Sequence, residues 1–214
     1  MARTTGVYME SLAKIALRVA ECSDCSLHRS RTKPVPGEGN NSAEIMLIGE
    51  GPGAKEDQEG RPFVGSAGQF LDQLLNSIGL NRLDVFIANM VKCRPPNNRD
   101  PFPEELQACS KYLDKQIELV NPLLIVTLGR FSLSRFFPGE TMGMARGKLR
   151  QYKSRYIFPI MHPAAALYRP QNKITIMDDF GVIPEILSTL RNTSDINVAS
   201  PFDESSPPEQ LSLF

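Results

Sequence analysis

Two sets of residues in this sequence carry side chains that can do chemistry. The first joins an acid, an aromatic ring, an amide and an imidazole: Glu50, Phe63, Asn89 and His162. An inward-facing amide such as Asn89 offers one acceptor and two donors, which suits the edge of a pyrimidine ring. Phe63, in the loop GRPFVG, is placed to stack on a flat ligand. Each has a bland alternative when taken alone: a capping Asn, a satisfied core His, a core Phe. The second set is Cys22, Cys25, Cys93 and Cys109, spaced C-x2-C, then by gaps of 67 and 15 residues. Four cysteines in a reducing compartment favour a metal over disulfides. Structural zinc sites usually offer two tight pairs. One tight pair with two separate cysteines fits an iron–sulfur cluster at least as well, and four unrelated buried thiols is the alternative.

The stretch GEGPGAKEDQEGRPFVGSAG (49–68) decides against one familiar ligand. Gly49, Gly51 and Ala54 match a dinucleotide fingerprint after a strand. That fingerprint requires a helix whose N-terminus meets pyrophosphate. Gly60 and Pro62 cut short any helix begun at Ala54, and Glu50, Glu56, Asp57 and Glu59 repel phosphate. The bare, acidic loop instead suits a neutral or electron-poor group.

The elements that must position these residues alternate along the chain. Strands are expected at 44–49, 84–91, 123–128 and 156–161, the last weakened by Pro159. Helices are expected at 9–20, 66–79, 103–120, 129–137, 163–168 and 171–190, with Ser66 and Gln69 spaced as a capping box. RGKLRQYKSR (146–155) reads as a turn or hairpin. This alternation predicts an α/β fold with a central, mainly parallel, four-stranded sheet covered on both faces. Ligands of such sheets lie beyond the carboxyl ends of the strands, which is where Glu50, Asn89 and His162 fall. Residues 1–191 read as one domain, and 192–214 as a disordered acidic tail. The chain has 24 basic and 24 acidic residues. Four of the acids lie in the tail, which leaves the body at about +4, a weak match to nucleic acid. No apolar run approaches membrane-spanning length, and the N-terminus lacks a secretory pattern, so a cytoplasmic protein is expected.

With these residues in view, the chain resembles the family 4 uracil-DNA glycosylases, the iron–sulfur type found in bacteria. Residues 49–68 resemble the family's first motif, HPAAAL (162–167) its second, and NMVKCRPPNNRDP (89–101) the segment between its pyrimidine-reading Asn and third cluster cysteine. The resemblance implies a three-layer α/β/α sandwich and a [4Fe–4S] cluster on Cys22, Cys25, Cys93 and Cys109. It implies that Phe63 stacks on a flipped uracil, that Asn89 reads its edge, and that Glu56 crowds out a thymine methyl group. On the same resemblance His162 is expected to stabilise the leaving anion, and Glu50 and Gly51 to hold the attacking water. Leu167, on the turn after the second motif, fills the gap left by the base, and Arg169 holds phosphate. The competing readings are a relative with broader deaminated-base preference, a non-catalytic iron–sulfur DNA-binding protein, and a dinucleotide-binding oxidoreductase.

QLSLF (210–214) ends the chain after an acidic, Ser/Pro-rich spacer. It resembles the short peptide by which bacterial replication proteins bind the sliding clamp. On that resemblance Gln210 orients the segment, and Leu211, Leu213 and Phe214 anchor it. The alternative is a tail folded back on its own domain. A monomer is expected.

Overall fold

The computed structural model describes residues 10–194. The order is α1 (Leu12–Glu21), a 3-10 turn (Ser26–Arg29), β1 (Glu38–Gly39), β2 (Ile45–Gly49), α2 (Ala54–Glu59), α3 (Ser66–Ser77) and β3 (Val85–Asn89). A second 3-10 turn (Pro96–Asn98) leads to α4 (Pro103–Val120), β4 (Leu124–Leu128), α5 (Arg130–Phe136), α6 (Met142–Ala145) and β5 (Arg150–Tyr152). β6 (Arg155–Ile160), α7 (Ala165–Tyr168), α8 (Pro170–Gly181) and α9 (Ile183–Ser194) complete it.

The sheet has six strands in the order β1-β3-β2-β4-β6-β5. β3, β2, β4 and β6 run parallel, while β1 and β5 add antiparallel edges. The expectation of four strands is therefore corrected to a mixed sheet around a parallel core. β1 is two residues long and has no periodicity to betray it. β5 turns back onto β6 through Lys153 at φ 54°. Pro159 is tolerated because it lies past Ile157, the last β6 residue paired with β5.

Every residue of β2, β3 and β4 is buried, as strands covered on both faces require. Alternate side chains of β2 enter opposite cores. Ile45 and Leu47 meet Leu71 and Leu74 of α3 and Ile176 and Phe180 of α8. Met46 and Ile48 meet Leu113 and Ile117 of α4 and Leu133 of α5. A third cluster joins Ile15 and Val19 of α1 to Tyr112 of α4 around the cysteines.

Two helical expectations need correction. The stretch 171–190 is not continuous, because Pro184 sits in the first turn of α9 and cannot continue a preceding helix. Ser66 does not cap α3: Gly65 is the N-cap and makes no side-chain cap bond. α2 does begin at Ala54, and Gly60 ends it after six residues in the left-handed conformation. α9 runs through Ser194, past the expected domain boundary, and the expected clamp-binding residues lie outside the described residues. No described helix is long and apolar enough to cross a membrane.

The chain leaves β2 towards β3 on one side and reaches β4 on the other. That reversal opens a crevice beyond the carboxyl ends of the parallel strands.

Candidate active site

The crevice is a cleft of about 300 Å³ lined by Glu50, Gly51, Glu56, Phe63, Asn89 and His162, among others. Glu50 directly follows β2, Asn89 closes β3, and His162 lies just beyond β6. Glu56 comes from α2, and Phe63 from the loop before α3. Residues distant in sequence thus reach one cleft because parallel strands deliver their ends to one edge. Leu167 and Arg169 do not line it. Leu167 is 53 % exposed on α7, close after the cleft residue Ala164, and Arg169 is the exposed N-cap of α8.

Gly49 permits close packing behind Asn89 and Phe63. A Cβ there would stand 2.5 Å from Asn89 Oδ1 and 2.7 Å from the Phe63 ring. Phe63 itself adopts a left-handed φ of 53°, which a bulky residue rarely takes. Arg82 holds it by donating to the carbonyls of Pro62 and Phe63. Gly68 leaves the room, since a Cβ there would come within 1.7 Å of the Phe63 carbonyl oxygen. The ring then stacks on His162 with centroids 5.5 Å apart and planes at 27°.

Asn89 is 2 % exposed, and its Oδ1 has no hydrogen-bond partner. An unpartnered buried acceptor costs about 1–3 kcal/mol, which a ligand donor relieves. His162 Nδ1 accepts from the Ala164 backbone N–H at 3.1 Å, which leaves the ring proton on Nε2. Desolvation holds the His162 pKa down to about 4, against a smaller opposing pull from Glu56. The imidazole is therefore a neutral donor at physiological pH. The Glu56 carboxylate accepts from the N–H groups of Val64 and Gly65, at 2.9 and 2.7 Å, and is fixed as a wall. Burial raises the pKa of Glu50, helped by Asp100 and opposed by Arg130.

Pro95, Asn98 and Arg99 also line the cleft and were not singled out from the sequence. Arg99 is bound to Glu105, a fully buried carboxylate whose pKa it holds down to about 2. Glu105 also accepts from Ser26, next to Cys25. Nothing local marks these residues beyond the paired asparagines, of which Asn97 and Asn98 both take positive φ.

The four cysteines line a second pocket, walled by Val19, His28, Lys92 and Tyr112. Cys93 Sγ accepts from Arg31 at 3.2 Å, and Cys109 Sγ from the Lys92 backbone N–H at 3.3 Å. Burial pushes the Cys109 thiol up to about 11 and raises Cys25 and Cys93 as well. Among the described residues, no three His, Cys, Asp or Glu side chains form a group fit for a single metal ion. Of the basic run 146–155, Arg146 pairs with Asp179, and Arg150 pairs with Glu140 and covers Phe137. These two arginines serve the fold.

The family model of the uracil DNA glycosylase superfamily matches residues 36–181. A type-4 uracil-DNA glycosylase of Saccharolobus solfataricus is 49 % identical over 197 residues, covering 87 % of this chain and 91 % of the relative. Another, of Sulfurisphaera tokodaii, is 51 % identical over 191 residues, covering 85 % of this chain and 87 % of the relative. That of Archaeoglobus fulgidus is 46 % identical over 187 residues, covering 83 % and 94 %. The type-4 relatives are mostly archaeal, so they do not carry the bacterial assignment. Matched along most of its length at close to half identity, this chain belongs to the type-4 uracil-DNA glycosylases of the uracil DNA glycosylase superfamily.

Proposed function

We propose that this protein hydrolyses the N-glycosidic bond of a flipped-out deoxyuridine, releasing uracil from DNA and opening base excision repair. Family membership carries the reaction. The observation that supports the site is the buried, unpartnered Oδ1 of Asn89 beside the Phe63–His162 stack.

A base inside a duplex is unreachable, so the nucleotide is extruded into the cleft. Its ring lies against Phe63. Asn89 Oδ1 accepts from N3–H, and the amide donates to O4. Cytosine offers the reverse pattern, which leaves buried polar groups unpaired. Glu56, pinned by two backbone donors, closes the side where thymine carries its methyl group. As the C1′–N1 bond breaks, its electrons pass to the uracil ring and positive charge develops on the sugar. His162 Nε2–H donates to O2 of the leaving anion, and one such preorganised donor is worth about 2.7–4 kcal/mol. Water held at Glu50 and Gly51 then forms the C1′–O bond. The Glu50 carboxylate stabilises the cationic sugar and takes up the proton. Leu167 fills the vacated stack, and Arg169 contacts phosphate. Incubating the protein with uracil-containing duplex and cutting abasic sites with alkali tests this reading. Undiminished release by Asn89→Ala would refute the pocket assignment.

The four cysteines are read as the ligands of a [4Fe–4S] cluster. Such a cluster takes one thiolate per iron, a wider set than one ion needs, and the chain offers four thiols with N–H donors at two of them. Bound there, the cluster supplies no step of the hydrolysis and braces the segment from Cys93 to Cys109. Iron and sulfide analysis of anaerobically purified protein tests this, and a colourless protein without iron rejects it. The tail peptide is proposed from its sequence alone: Gln210, Leu211, Leu213 and Phe214 dock on a bacterial sliding clamp and concentrate the enzyme at new DNA. Deleting 210–214 should abolish clamp pull-down and spare activity on short oligonucleotides.

A further inference from the structure

One side chain joins the two pockets. Lys92 is 1 % exposed and lines the cysteine pocket, not the base cleft. Its Nζ donates to the Asn89 carbonyl at 2.8 Å and to Gln116 Oε1 at 2.6 Å. Gln116 Nε2 donates in turn to the Pro36 carbonyl at 2.7 Å. The backbone N–H of the same lysine donates to Cys109 Sγ at 3.3 Å, and its carbonyl accepts from Val35 at 2.8 Å. Burying an ammonium is costly, and an apolar side chain of similar volume would fill the space without that cost. The hydrolysis makes no use of Nζ. What Nζ does is grip the peptide of the residue that reads the base. Asn89 is the last residue of β3 in register with β2; past it Met90 and Val91 still donate to the Gly49 and Glu50 carbonyls, and the Asn89 carbonyl itself is taken by Lys92 Nζ. A recognition group must be kept within about 0.5 Å of its productive position.

We propose that Lys92 is a positioning residue: its ammonium and Gln116 lock the base-reading end of β3, and its backbone ties that end to the wall of the cysteine pocket. The proposal rests on the readings of Asn89 as the uracil reader and of the cysteines as cluster ligands. It gives the cysteine pocket a task in recognition without a redox step. A loosened strut leaves the Asn89–Met90 peptide held on its N–H side alone, by Met90 donating to the Gly49 carbonyl, and a tilt about that bond costs the amide its register with the pyrimidine edge. The duplex outside the cleft is gripped as before.

The test uses full-length, iron-loaded protein carrying Lys92→Met, Gln116→Leu or Asn89→Ala. Three quantities are read: iron content, inhibition by free uracil, and affinity for a duplex with an abasic site, which has no base for Asn89 to hold. Lys92→Met should keep its iron and its abasic-site affinity while free uracil binds about tenfold more weakly, the worth of one good hydrogen bond. Gln116→Leu should shift uracil binding in the same direction by a smaller factor. Loaded Lys92→Met protein with unchanged uracil inhibition overturns the proposal. So does an equal fall in both affinities, which a merely structural role produces. If Lys92→Met fails to load or fold, Gln116→Leu decides by the same two affinities. Unchanged uracil inhibition in Asn89→Ala refutes the parent reading, and the strut falls with it. A strong effect there with none at Lys92 and Gln116 refutes the strut alone.

Discussion

The base cleft and the cysteine pocket share the segment from Asn89 to Cys93, yet they are finished in opposite ways. The cleft leaves polar groups open: Asn89 Oδ1 has no partner, the Nε2 proton of His162 is uncommitted to Ala164, and Glu50 is partly stripped of solvent. The cysteine pocket is packed within an apolar cluster, and two of its sulfurs already receive N–H donors. A site that must bind and release keeps its hydrogen-bonding capacity unspent and carries the cost in stability. A site suited to a resident group is closed around it. On the functions proposed for them, function and stability oppose each other in the first region and coincide in the second.

Breaking that contrast should have its largest effect at His162. His162→Ala removes the donor proposed for the leaving anion and should lower kcat by about 10²–10³-fold in single-turnover uracil release. Because burial holds the wild-type imidazole at about 4, kcat/KM should show no inflexion near the ordinary value of 6.5. An inflexion there would mean that the cation is the active form.

Asn89→Leu sharpens the comparison by separating its two halves. Release should fall by about 10- to 100-fold in kcat/KM. Thermal unfolding should rise, because the substitution removes an unpaired buried acceptor worth about 1 kcal/mol or more. A lower Tm would show that the amide is satisfied in solution.

Glu50→Gln acts the same way through charge. Burial raises the carboxyl pKa in the folded protein above its ordinary 4.5, so the folded state holds this proton more tightly than the unfolded chain does. Wild-type stability from this group is full below about 4.5 and is lost as pH rises through the folded pKa. The Gln variant should melt higher than wild type at neutral pH, with the gap closing under acid. A gap that widens under acid would reverse the assignment.

The smallest effect belongs outside both pockets. Arg169→Met should reduce the slope of log affinity against log salt by about one unit and leave base discrimination unchanged.

Much of the scaffold was legible in the sequence. The four parallel strands, the bounds of α4 and the convergence of Glu50, Phe63, Asn89 and His162 follow from periodicity and from where parallel strands end. The short edge β1 did not show, because two residues carry no period. Ser66 misled because the spacing of a capping box says nothing of which residue turns first. Arg82, Gly68 and Lys92 were invisible for a related reason. Each acts on a partner chosen by the fold: Arg82 and Gly68 on the Phe63 carbonyl, and Lys92 on Gln116.

The sequence by itself determined which side chains are present, which segments repeat with the period of strand or helix, and how the four cysteines are spaced. Only the tertiary structure decided that Asn89 keeps an acceptor unpaired, that His162 is neutral with its proton on Nε2, and that a buried ammonium stands between the two pockets. The reason is that protonation and hydrogen-bond satisfaction depend on desolvation and on neighbours in space, and those neighbours come from strands and loops far apart in the chain.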